Sequence, residues 1–132
     1  MRLVQCHIQV RAADAAQAGG VSGSLGVSFE QARERLEEIP SLYFEGDGSF
    51  FWTDSRLGTQ IWGMLYDRPV QSTPKQEGSQ LDYCEIQGEM AREQIEIILN
   101  CIALQPSVVV VLELPQGKRL TLEEFYSRWE IE

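Results

Sequence analysis

Val4-Gln5-Cys6-His7-Ile8-Gln9-Val10-Arg11 alternates apolar and polar residues without a break. A period of two puts Val4, Cys6, Ile8 and Val10 on one face of an extended segment and Gln5, His7, Gln9 and Arg11 on the other. The chain therefore opens with a half-buried strand, and what covers its apolar face decides the fold. The same alternation returns at Leu81 to Gly88, where Cys84 and Ile86 oppose Tyr83, Glu85 and Gln87.

Residues 12–27 are rich in Ala, Gly and Ser and read as a long flexible loop. After it, Ser28 with Gln31 forms a capping box, and Phe29, Ala32, Leu36 and Ile39 recur at helical spacing up to Pro40. From Leu42 to Asp67 apolar and aromatic residues are cut by turn residues at 46–49 and 54–58, which predicts a meander with strands at about 42–46, 49–53 and 60–66. Residues 67–80 carry Pro69, Pro74 and Gly78 and read as a loop.

Ala91, Ile95, Ile98, Leu99 and Ile102 predict a second amphipathic helix that stops before Pro106. Val108 to Leu114 is β-branched and nearly continuous, the mark of a strand covered on both faces. Thr121 with Glu124 then caps a short last helix whose apolar side is Leu122, Phe125, Tyr126 and Trp129. The order predicts one α+β domain over residues 1–132. Its antiparallel sheet has about five or six strands with helices mainly on one face, an elaborated βαββαβ, ferredoxin-like plait.

Charge narrows the function. A net −9 with only eleven Lys and Arg is wrong for neutralising a phosphate backbone, so nucleic acid is not expected as a partner. The longest apolar run, Val108 to Leu112, is too short to span a bilayer, and the alternating N-terminal segment does not resemble a signal peptide, so a cytoplasmic protein without a membrane partner is expected. Three cysteines, Cys6, Cys84 and Cys101, form no disulfide framework and read as buried thiols, with a Cys6–Cys84 bridge open if their strands are adjacent.

The chemical motifs are weak. Cys6 and His7 point to opposite faces of a strand and cannot both ligate one ion, so no metal or other cofactor is expected. The glycines between 19 and 26 match no phosphate-binding fingerprint, and Glu45 to Ser49 reads as a hairpin turn. His7 is the only histidine, and no nucleophile signature accompanies it.

One feature exceeds this background. If the helices cover the face with Cys6, Ile8, Phe44, Cys84 and Ile86, the opposite face carries His7, Tyr43, Glu45, Tyr83, Glu85 and Gln87, joined either by Phe50 and Trp52 or by Trp62 and Tyr66. Large rings with polar tips build both protein interfaces and ligand pockets. The candidate contact residues are His7, Tyr43, Trp52, Trp62, Tyr83 and Glu85, with Phe125 and Trp129 as a candidate partner helix. The expected function is a non-catalytic protein-binding or self-assembling module, as a homodimer or with a protein partner. A small-molecule-binding protein or small enzyme, with His7 or Glu85 as acid or base, is the alternative. A third outcome is that the last helix folds back over this face.

Overall fold

The computed structural model describes residues 2–12, 25–67 and 80–130. Its centre is β1 (Val4–Ala12), antiparallel to β5 (Leu81–Met90) on one side and to β6 (Val109–Glu113) on the other. β2 (Leu42–Phe44), β3 (Ser49–Asp54) and β4 (Thr59–Asp67) run back and forth onto β5, and β7 (Lys118–Thr121) closes the far edge. Among the described residues the result is one antiparallel sheet of seven strands in the order β2-β3-β4-β5-β1-β6-β7. Three α-helices among the described residues accompany it: α1 (Phe29–Glu37), α2 (Arg92–Ile102) and α3 (Leu122–Tyr126).

The strand count exceeds the five or six expected because Lys118 to Thr121, between a turn and a cap, is too short and polar to carry a visible alternation. It pairs through Val111 with Leu120 and Leu112 with Arg119, and Leu120 is buried. β2 ends at Phe44, short of 46, because Glu45 already belongs to the turn. Its N–H donates to the Ser49 carbonyl at 2.8 Å, and Asp47 Oδ1 accepts from the Ser49 N–H at 2.9 Å.

Both capping boxes form: Ser28 with Gln31, and Thr121 with Glu124. The stretch 12–27 is corrected at both ends. Ala12 belongs to β1, and Leu25 and Val27 are buried, tied by Leu25 N–H to the Leu81 carbonyl at 3.0 Å and Leu81 N–H to the Val27 carbonyl at 3.0 Å. The remainder, residues 13–24, lies outside the described residues, as do residues 68–79 of the second predicted loop.

The core lies between one sheet face and the helices. Cys6, Ile8 and Val10 of β1 join Ile61 and Leu65 of β4, Cys84 and Ile86 of β5, Phe50 and Trp52 of β3, and the buried sides of α1 and α2. Gly63 makes room for this packing. It stands opposite Phe50, and a Cβ placed there would meet the Phe50 ring at 2.1 Å.

α3 packs on the same side. Phe125 is buried in the core cluster, the Trp129 indole N–H donates to the Met90 carbonyl at 3.0 Å, and Arg128 ion-pairs with Glu113, which stands opposite Ile8. The last helix therefore adds to the covered face and leaves the other one. Among the described residues, no helix is long and apolar enough to cross a membrane.

Candidate functional site

The pairing registers place the side chains of the face that the described helices leave open in rows across the strands. One row runs Tyr43, Phe51, Trp62, Gln87, His7 from β2 to β1. The next runs Ser49, Met64, Glu85, Gln9, Leu112, Arg119 from β3 to β7. A third holds Tyr66, Tyr83, Arg11, Val110 and Thr121. On the far side of the first row stand Glu89 and Gln5.

Tyr43, Phe51 and Trp62 are 68%, 39% and 36% exposed, so three consecutive strands present rings to solvent in one line. Glycine at 63 helps to produce that line, because it lets Phe50 turn into the core while Phe51 and Trp62 pair outward. The third row is already assembled. The Tyr66 and Tyr83 rings stack with centroids 4.4 Å apart, and the Arg11 guanidinium lies 4.0 Å over the Tyr83 ring. Burial, with Glu85 and Tyr83 nearby, pushes the Tyr66 hydroxyl above its ordinary value, so it stays a protonated donor.

His7 and Glu85 meet diagonally between the first two rows, with Nε2 2.6 Å from Oε2. The sequence placed both on one face, and the antiparallel register brings them into contact. The charges within these rows are two carboxylates, Glu85 and Glu89, and two guanidiniums, Arg11 and Arg119. These four rows thus sum to no net charge on a chain of −9, with the carboxylates Glu45, Asp67 and Asp82 at their margins.

Of the predicted residues, His7, Tyr43, Trp62, Tyr83 and Glu85 share this face. Trp52 does not: it is 4% exposed and points to the core opposite Leu42 and Ile61. Phe125 is 1% exposed and also belongs to the core, and Trp129 packs edge-on against it with centroids 5.0 Å apart. Those two residues hold α3 to the sheet. Phe51 was missed because Phe50, Phe51 and Trp52 are equally aromatic, and only the register says which of them points out.

The Cys6–Cys84 bridge is absent. The strands are adjacent, yet Cys84 pairs with Val10, four residues along β1 from Cys6, or roughly 13 Å at strand rise. All three thiols are buried and free, and burial pushes Cys6 up to about 12. Among the described residues no group of three His, Cys, Asp or Glu gathers to hold a metal.

A concavity of about 610 Å³ lies on the other side, between the end of α1, the β3–β4 turn and α2, where Arg35, Trp52, Asp54, Arg56 and Ile97 line it. Asp54 there belongs to a buried polar cluster: Gln94 donates to Asp54 Oδ2 at 3.1 Å and to Thr59 Oγ1 at 2.8 Å, and its Oε1 accepts from the Ala91 N–H at 2.9 Å. This cluster ties the start of α2 to the β3–β4 hairpin, and every polar atom has a structural partner. Comparisons of the chain with protein families, curated proteins and solved structures find no match.

Proposed function

We propose that this protein is a non-catalytic self-assembling module whose contact surface is the open sheet face, with a second copy of the chain as its occupant. The observation that carries this is the coincidence of exposed rings with local neutrality. Tyr43, Phe51 and Trp62 stand among rows without net charge, while the chain as a whole is strongly acidic. Two copies repel wherever their acidic surfaces approach and repel least at this face. A basic partner would be drawn to the acidic surfaces instead.

The sheet edges support face-to-face contact over strand addition. β2 has three residues and β7 has four, two of them Lys118 and Arg119, and short or cationic edges resist pairing with another strand. Size also fits. The residues of the four rows, each covering about 4.8 by 6.7 Å of sheet, present a face on the order of 600 Å², at the lower end of the roughly 600–1,000 Å² per partner of a stable interface.

We further infer that β1, α1, β4, β5, α2 and β6 form a ferredoxin-like plait, with β2–β3 inserted after α1 and β7 appended. The order β4-β5-β1-β6 and the split β5-α2-β6 unit around β1 support it. A reducing, cytoplasmic setting is proposed from the three free thiols.

Light scattering on the whole chain and its Trp62→Ala variant tests the function. A dimer that weakens on this change supports the proposal. A dimer indifferent to Trp62 rejects the face as the contact surface, and a monomer at every concentration rejects self-assembly. The second reading, a ligand pocket or small enzyme on the same face, is motivated by the 2.6 Å contact of His7 with Glu85. Loss of binding of a captured small molecule in Glu85→Gln would favour it over the module.

A further inference from the structure

We infer that the two copies meet about a two-fold axis running across the strands, between the His7–Gln87–Trp62 row and the Gln9–Glu85–Met64 row. This inference rests on the proposed self-assembly and specifies its register. The open face has relief. Phe51 and Trp62 form a ridge, and the neighbouring row offers Ser49 and Met64, one small and one pliable, as a furrow beside it. Rows on one face repeat at about 6.7 Å, and packed sheets stand about 10 Å apart, so the ridge of one copy seats in the furrow of the other.

A two-fold axis between those rows exchanges them. Phe51 and Trp62 then rest on Ser49 and Met64 of the second copy, and the same contact repeats in reverse. The outer rows exchange as well, which carries Arg11 toward Glu89 of the second copy, one strand over. Glu85 falls on Gln87 and not on its own equivalent.

The competing isologous arrangement has its axis along the strands. β5 is the fourth of seven strands, so that axis lays β5 on β5 and each row on itself. Glu85 would then face Glu85 at the middle of the interface, where like charges opposite one another are most costly. The cross-strand axis avoids this and pairs unlike charges at the periphery. It also matches ring to furrow, where the other arrangement would lay Trp62 on His7 of the second copy and Phe51 over its β6.

The test is a charge exchange read by the dimer dissociation constant at low salt. Arg11→Glu and Glu89→Arg, each alone, place like charges together twice per dimer and are expected to weaken association about tenfold. Mixing the two variants restores both attractive pairs, so the mixture is expected to recover a dimer near the wild-type constant. Circular dichroism of each variant separates dissociation from unfolding, since both side chains lie outside the core. If Trp62→Ala weakens the dimer but the exchange has no effect, the face is the contact and this register is overturned. If neither Trp62 nor the exchange matters, the dimer lies elsewhere and both proposals fall. A chain that stays monomeric overturns both the register and the self-assembly beneath it.

Discussion

The two faces of this one sheet use the same aromatic residue types for opposite ends. On the covered face Phe50, Trp52 and Phe125 are at most 4% exposed and fill the space under the helices. On the open face Phe51, next to Phe50 in the chain, stands with Tyr43 and Trp62 in solvent. Neighbouring residues of equal hydrophobicity are separated only by the pleat, so burial here reports strand parity and not side-chain character.

The contrast is sharpened most by changes that act across it. Phe50→Ala should destabilise the fold by about 3–5 kcal/mol, as truncation of a buried ring does, whereas Phe51→Ala should cost under about 1 kcal/mol. Gly63→Ala should lose about 3 kcal/mol by pushing the Phe50 ring out of place. Denaturant unfolding measures all three, and equal costs for Phe50 and Phe51 would break the two-face description.

A second test concerns the polar cluster on the covered side. Gln94→Leu leaves the Ala91 N–H, Asp54 and Thr59 without a shared partner and should cost about 1–3 kcal/mol. No open-face glutamine holds three partners in this way, so Gln87→Leu should change monomer stability by no more than about 0.5 kcal/mol.

A smaller effect follows from Asp54. Burial raises its carboxyl pKa, but hydrogen bonds and charge from Arg56 outweigh burial and hold it below the ordinary value. Because the folded value is the lower one, the stabilisation is complete above the unfolded pKa of about 3.9 and is lost as pH falls through the folded value. Acid titration of thermal stability below about pH 4 should therefore fall less steeply in Asp54→Asn than in the wild type.

The smallest effect is expected at Tyr43. Tyr43→Ala should shift monomer stability by about 0.5 kcal/mol or less while measurably weakening the dimer. A large loss of monomer stability would mean that the open row is structural.

Much of the fold is legible without coordinates. Caps at Ser28 and Thr121 are local hydrogen bonds encoded within four residues, and the alternation of β1 and β5 names their inner faces residue by residue. The candidate site was legible in the same places: His7, Tyr83 and Glu85 follow from parity alone. Parity failed at 50–52, where three rings stand in sequence and the turn at Glu45–Ser49 sets the register. It failed again at β7, whose four residues are too few to show a period, and at Gln94, a polar residue whose partners are 35 and 40 positions away.

By itself, the sequence determined the elements, the caps, the acidic charge and which side of β1 and β5 faces inward, because those depend on neighbours in the chain. Only the tertiary structure decided which face α3 covers, which ring of 50–52 points out, and that His7 meets Glu85 while Cys6 misses Cys84. Those outcomes depend on strand register and helix placement, which are set by contacts between residues far apart in the chain and leave no local periodic signal.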